Sequence, residues 1–219
     1  MPKGQPVIRL DIFSDIVCPW CYIGKTHLDR AMESRADHPF RIEWHPFQLN
    51  PDMPREGVGH VDYLAEKFGG GRDKALGMMQ NVADAARAAG AEMDMAKVTH
   101  LPNTMDAHRL IHWAGIEGRQ TAMVSRLFRA HWREGEDVGN PDTLARLAGE
   151  VGMDSAAVAR LLATDADRDD LLARDQDARQ KGVTAVPTFL IAQQYVVSGA
   201  QPVDLWQGVI DELSEKAKD

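Results

Sequence analysis

The 219-residue chain contains two cysteines, three positions apart, as Cys18-Pro19-Trp20-Cys21. They follow the apolar run Val7 to Phe13 and precede a helical pattern, which puts both thiols at a strand-to-helix turn. Residues at i and i+3 are neighbours on a helix, with Cβ atoms ~5–6 Å apart, and a modest tightening reaches disulfide range. The spacing predicts that the Cys18 thiol points out over the helix start while Cys21 lies one turn inside. Partial positive charge at a helix N-terminus favours a thiolate. Thiols in such motifs ionise at roughly 3.5–7.5, against about 8.5 for a free cysteine. Pro19 suits the first helical turn, where no N–H donor is needed. The chemistry implied is reversible dithiol–disulfide exchange, with Cys18 attacking and the more buried Cys21 resolving. The alternatives are an inert pair or half of a zinc site, which needs two further ligands from histidines or carboxylates. His27, at i+6 from Cys21 on the same helix, points away from the pair.

Other residues near the motif have both a chemical and a plain reading. Asp15 could steer protons to or from Cys21, although an acid before a helix is commonly a cap. Lys25, at i+7 from Cys18, favours the thiolate slightly or is simply solvated. Trp20 is read as an exposed aromatic that helps grip substrate, or as packing against the rest of the chain. Because Trp20 is neutral where a histidine would stabilise the reduced form, the couple is expected at roughly −250 to −150 mV, between the strong dithiol reductants and the strong oxidants. His45, His100, His108, His112 and His131 show no ligand spacing except His108 and His112 at i, i+4. Without a His-Glu-x-x-His context, that pair reads as helix packing, and no metal site is assigned. Methionines 78, 79, 93, 95, 105 and 123 fill core or line an adaptable groove. The charged run Asp165 to Arg179 reads as a solvated helix face.

The elements that position the thiols follow from periodicity. Residues 7–13 read as a buried strand and Cys18 to about Ser34 as a helix, with Cys21, Gly24, Leu28 and Ala31 on one stripe facing a sheet. Gly24 permits close approach. Residues 40–46 alternate strictly, as a half-exposed strand near a sheet edge does. From about Asn50 to Gly182 the pattern is wholly helical. Gly69-Gly70-Gly71 separates helices near 60–68 and 72–89, and Asn103 caps a helix over 104–116. Asn140-Pro141 and Asp154 open two more. Strands return at Thr188–Ile191 and Tyr195–Ser198, and a final helix opens at Pro202 with Val203, Trp206, Val209, Ile210 and Leu213 buried. The fold class is therefore α/β. Residues 1–48 and 183–219 form one discontinuous module, and 49–182 form an inserted helical domain, because neither outer part is large enough to fold alone.

Composition is that of a globular protein, 44% hydrophobic and 26% charged, with a net charge of −8 and no basic cluster. Nucleic-acid binding has no electrostatic support. The start, Met1-Pro2-Lys3-Gly4-Gln5-Pro6, lacks the apolar stretch of a signal peptide, and the longest uncharged stretch, Gly182 to Val203, is a poor membrane span. A cytoplasmic location is expected, where a close cysteine pair is catalytic or metal-binding more often than structural.

Ser14 to Lys25, Phe47-Gln48-Leu49-Asn50-Pro51, Asn103-Thr104 with Ala107-His108-Arg109, Val183 to Phe189, and Ser198-Gly199-Ala200-Gln201 together resemble the DsbA family. They are closest to its FrnE-like branch, grouped with 2-hydroxychromene-2-carboxylate isomerases and kappa-class glutathione transferases. The similarity spans essentially the whole chain. It implies a thioredoxin fold with a large helical insertion and a cis Val186–Pro187 bond beside Cys18. The backbone of Val186 would then pair with an extended substrate, so the resemblance assigns substrate binding to Pro19, Trp20, Val186 and Pro187. It implies a disulfide-containing protein or small molecule as partner, allows glutathione as co-substrate and a homodimer, and requires no prosthetic group. The glutathione-dependent isomerases and transferases carry serine where this chain has Cys18, so two thiols favour dithiol–disulfide exchange. The rival is a glutathione-dependent isomerase or transferase in which Asn50, Pro51 and the Val186–Pro187 loop hold glutathione. A third reading is a non-catalytic holdase. Some FrnE-like proteins carry a second cysteine pair near the C-terminus, and this chain has none.

Overall fold

The computed structural model describes residues 7–216, so residues 1–6, read above for leader character, and 217–219 lie outside the described residues. The chain opens with β1 (Ile8–Ser14), α1 (Pro19–Glu33) and β2 (Phe40–Pro46), and closes with β5 (Thr188–Ile191), β6 (Tyr195–Ser198) and α9 (Val203–Lys216). These two segments share one sheet in the order β2-β1-β5-β6, with β1 and β2 parallel and the other pairs antiparallel. This is a thioredoxin fold. The apolar positions of β1 explain its central place: Leu10 and Ile12 are fully buried, paired with Ile42 and Trp44 on one side and Ile191 and Phe189 on the other. Trp206 of α9 packs edge-on against Phe189, with ring centroids 4.7 Å apart. The predicted stripe on α1, Cys21, Gly24, Leu28 and Ala31, is buried as a set.

β2 is an edge strand, as its alternation predicted, and its outer backbone is covered. Gln120 accepts from the Trp44 amide at 2.9 Å and donates to the Trp44 carbonyl at 3.1 Å, mimicking a neighbouring strand. Such a cover blunts the tendency of a free edge to recruit another chain.

Between β2 and β5 lie α2 (His60–Phe68), α3 (Gly71–Ala89), α4 (Met105–Ile116), α5 (Gln120–Arg129), α6 (Pro141–Glu150), α7 (Ser155–Leu162) and α8 (Arg168–Gln180). The segment is not wholly helical. Residues Val58–Gly59 (β3) and His100–Leu101 (β4) pair antiparallel, and Ala130–Glu134 winds as a π-helical turn directly after α5. Two-residue strands are too short to leave an alternation pattern, which is why periodicity missed them. The caps did read correctly: Asn140 accepts from the amides of Asp142 and Thr143, and Asp154 from that of Ala157. Asn103 accepts from the Met105 amide at 3.0 Å, one place before the formal cap Thr104. Arg109, fully buried, donates to the carbonyls of Leu161 in the last turn of α7 and of Thr164 and Ala166 after it, and pairs with Asp106 at 2.8 Å. One apolar cluster runs from β1 and α1 through Leu110, Phe128, Leu144 and Leu147, so sheet and helices share a continuous core.

Gly24 marks the tightest approach of α1 to the C-terminal segment. A Cβ there meets Pro187 Cγ at 3.1 Å and the Ala200 backbone at 3.3 Å. Overpacking a fitted contact costs about 1–3 kcal/mol. Gly24→Val is therefore expected to lower unfolding stability by that amount in urea titration. An unchanged midpoint would show that the contact yields freely.

Candidate active site

Cys18 is the N-cap of α1, extended at φ −87° and ψ 112°, with Pro19 at the first helical position. Its amide donates to Asp15 O at 3.1 Å, and its carbonyl receives the amides of Cys21 and Tyr22. No side chain caps the helix. The first turn therefore carries no competing carboxylate cap. The Val186–Pro187 peptide is cis, and the Cys18 thiol donates to the Val186 carbonyl at 3.6 Å. Val186 thus meets Cys18 through its carbonyl, from a point 168 residues along the chain.

The expectation that Cys18 points openly outward needs correction. The residue is 3% exposed and Cys21 1%, because the Val186 loop closes over the helix start. Cys18 is reached from a groove of about 330 Å³ instead, which it floors together with Val186. Both cysteines are free thiols. Complete burial pushes the Cys21 thiol well above its ordinary range, and contact with Cys18 adds to this. The Ser14 hydroxyl and the backbone at Asp15 pull it back more weakly.

Met78, Met79 and Met95 line one wall of the groove. Met105 and Met123 instead fill core, so the methionines divide between the two readings. Trp20, 47% exposed, borders the groove, in keeping with the exposed one of its two readings. Asn50 lies at a polar rim that spacing did not reveal, where its side-chain oxygen accepts from the Tyr63 hydroxyl and from Lys67 Nζ at 2.9 Å. Among the described residues no carboxylate lies within ion-pair distance of Lys67, so this cation is available at the rim. The available signal was the i, i+4 spacing of Tyr63 and Lys67 on α2, which puts both on one helix face. Pro51 is exposed and outside the groove lining.

Four further expectations fail. Lys25 is not solvated: it is 6% exposed and pairs with Asp29 at 2.5 Å, one turn along α1. Asp15 is not a cap: it is fully buried, and its Oδ2 accepts from the Leu49 amide at 2.8 Å. The charged run on α8 is not uniformly solvated, because buried Asp175 accepts from the Gln48 amide and pairs with Arg179. His108 does not pack passively either, since its Nε2 lies 3.4 Å from Asp15 Oδ1. His27 contacts the Gln201 carbonyl, away from the thiols as expected. On the sheet, Asp11, Glu43 and His45 converge as a set with metal-ligand character. The Arg9 guanidinium already reaches Asp11 at 2.6 Å and Glu43 at 3.1 Å, supplying the balancing charge.

Two outcomes follow from burial. Iodoacetamide at neutral pH should modify Cys18 through the groove and leave Cys21 unmodified until the chain is unfolded; peptide mass spectrometry reads this, and equal labelling of both thiols contradicts it. His131 is completely buried, and desolvation, with His60 nearby, pushes it down to about 3. The unfolded chain takes up a proton near pH 6.5 that the native chain refuses. This stability is therefore present above pH 6.5 and lost as the pH falls towards 3, by about 1.4 kcal/mol per pH unit. Urea melts between pH 6.5 and 4 should show this slope, and His131→Asn should flatten it by one proton.

The family model of the DSBA-like thioredoxin domain matches residues 9–211. The chain is 28% identical over 214 residues to the uncharacterized protein YwbO of Bacillus subtilis (strain 168), covering 95% of this chain and 98% of that one. It superposes on a probable DsbA oxidoreductase from Streptomyces coelicolor with a TM-score of 0.85 and 29% identity, over 94% of this chain and 89% of that one. The cytosolic disulfide reductase DsbM from Pseudomonas aeruginosa, solved with GSH, aligns at a TM-score of 0.67 and 20% identity, over 93% and 98%. Among the described residues no helix is long and apolar enough to cross a membrane. With the thiol pair capping α1 beneath a cis-proline loop and a family model spanning nearly all of it, the chain belongs to the DSBA-like thioredoxin domain family.

Proposed function

We propose that this protein is a thiol–disulfide oxidoreductase whose Cys18–Cys21 couple exchanges with disulfides admitted through the groove. The observation that carries this reading is the seat of Cys18: N-cap of α1, under the Val186 carbonyl, on the groove floor. In the reductive direction the Cys18 thiolate attacks one sulfur of the substrate disulfide, and the other sulfur leaves as a thiolate. Cys21 then attacks Cys18 Sγ, the second substrate thiolate departs, and the Cys18–Cys21 disulfide remains. The oxidative direction runs the same steps backwards. Trp20 and the methionine wall supply apolar contact, and methionine side chains re-pack to fit varied shapes.

Glutathione fits this reading as a co-substrate that resets the couple, its carboxylates meeting Lys67 and Asn50 at the rim. DsbM, which shares the fold, was solved with GSH. No metal or prosthetic group enters these steps. A reducing, cytoplasmic compartment suits a catalytic cysteine pair of this kind.

Insulin reduction with glutathione as electron source tests the proposal. Cys18→Ser is expected to abolish turnover, and Cys21→Ala to accumulate a mixed disulfide on Cys18. Cycling by the Cys18→Ser variant would overturn the assignment. Equilibration against glutathione should place the couple at roughly −250 to −150 mV.

A further inference from the structure

His60 opens α2 in the wall of the groove and has no part in the exchange steps above. The residue is 6% exposed, and its backbone and its ring are both tied to the segment that leads into β4. The His60 amide donates to Thr99 O at 2.9 Å, and its Nδ1 lies 3.1 Å from Val98 O. A carbonyl only accepts, so Nδ1 carries the ring proton and Nε2 of the neutral ring presents a lone pair. An edge-on contact with Trp132, ring centroids 6.4 Å apart, helps to hold the ring. Nε2 has no hydrogen-bond partner among the described residues, and unlike His131 Nε2 it is not sealed in the interior. The opening it meets is the groove.

Packing brings this nitrogen close to the thiols. Val17, the residue before Cys18, shares one apolar cluster with Val58, Tyr63 and Leu101, which surround His60 on β3, α2 and β4. Trp132, the neighbour of the His60 ring, donates to Ile16 O at 2.9 Å. Cys18 and His60 thus line one groove of about 330 Å³, the size of a small-ligand site. Most of its wall is apolar, so a ligand bound there has an apolar body and one donor for Nε2. Resting on the exchange reading, we propose that His60 is a catalytic base for apolar thiols, Nε2 taking the substrate proton as its sulfur attacks Cys18 of the oxidised couple.

In the first step the substrate sulfur bonds to Cys18 Sγ, its proton passes to Nε2, and the Cys18–Cys21 bond breaks. Cys21 leaves as a thiolate, and burial favours its protonated form. His60 gives its proton to water in the groove, and Cys21 takes one up. A second substrate thiol, deprotonated in the same way, attacks the substrate sulfur of the mixed disulfide and releases Cys18, which regains its proton. Two electrons pass from the substrate sulfurs to the cysteine pair, and two protons follow. The assistance matters because the thiolate, not the thiol, is the nucleophile. Burial lowers the His60 pKa, opposed more weakly by the Val98 carbonyl, and a helix start further disfavours the charged ring. The ring is therefore free to accept at neutral pH. The ionisable groups around it are Tyr63 and Lys67 of α2, Cys18, His100 of β4 and His131, held neutral by burial; Asp62, in the first turn of α2, faces solvent.

The test uses the full-length protein oxidised to its Cys18–Cys21 disulfide and 2-phenylethanethiol, a thiol that is neutral at pH 7. Acid quenching, alkylation and mass spectrometry follow the loss of the disulfide. His60→Asn keeps a donor for Val98 O and lacks the basic nitrogen; it is expected to slow the reaction roughly 10–100-fold at pH 7. Reduction by tris(2-carboxyethyl)phosphine, a nucleophile with no proton to surrender, should stay within about twofold. The unsubstituted rate with the thiol should be nearly level from pH 6.5 to 7.5. That of His60→Asn should climb tenfold per pH unit and meet it at high pH, where the thiol ionises unaided. The proposal is overturned if His60→Asn reacts with the thiol at the unsubstituted rate, or if thiol and phosphine reactions slow equally. A tenfold climb per pH unit in the unsubstituted protein overturns it too, and decides the matter even if His60→Asn does not fold. Failure of the oxidised protein to react with any thiol, glutathione included, overturns the exchange reading and this one together; reaction without these signatures of His60 overturns this one alone.

Discussion

The contact between the Cys18 sulfur and the Val186 carbonyl is the constraint on which the site depends. It brings the first helix of the chain and the turn before β5 to one point, and it needs room behind it. Gly24 provides that room by letting α1 lie against Pro187 and Ala200 without a side chain between them. The sheet order follows the same demand: β5 must run beside β1 for residue 186 to reach residue 18, and the register from Phe13–Thr188 to Leu10–Ile191 fixes that alignment. The thiol is thus set by the central strand pair and not by a mobile loop.

The intervening helices do more than cover the sheet. They supply the wall of the groove from α2 and α3 and Trp132 from the π-helical turn, and through α4 they bring His108 to Asp15. Trp132 Nε1 donates to Ile16 O at 2.9 Å, tying this region to the turn between β1 and α1. Sheet and helices share one apolar cluster, so the groove and the couple are held in a fixed relation.

Much of this was readable from residue types. The thiol spacing, the edge character of Phe40–Pro46 and the caps at Asn140 and Asp154 are local signals, and local signals survive folding. Apart from the two-residue strands β3 and β4, the errors are tertiary. Lys25 and Asp175 were read as solvated because charge predicts exposure, yet each is covered by another element and paired with a charge one helical turn away. Asp15 looked like a cap because its position beside a helix suits one, but its partner is the Leu49 amide, 34 residues on. His108, at i, i+4 from His112 but without a His-Glu-x-x-His context, was read as helix packing, when its neighbour in space is 93 positions back (108 − 15). The cis bond at Val186–Pro187 was implied only by resemblance, since no local pattern distinguishes it from the trans majority.

That the site joins residues 18 and 186 has a consequence for biosynthesis. Chains emerge at about 5–20 residues per second, so on the order of ten seconds or more separate translation of the thiol from that of the carbonyl it touches. Throughout that interval the nascent polypeptide holds two cysteines without the strand that aligns them or the loop that shelters them. The motif is made first and becomes a reaction centre last.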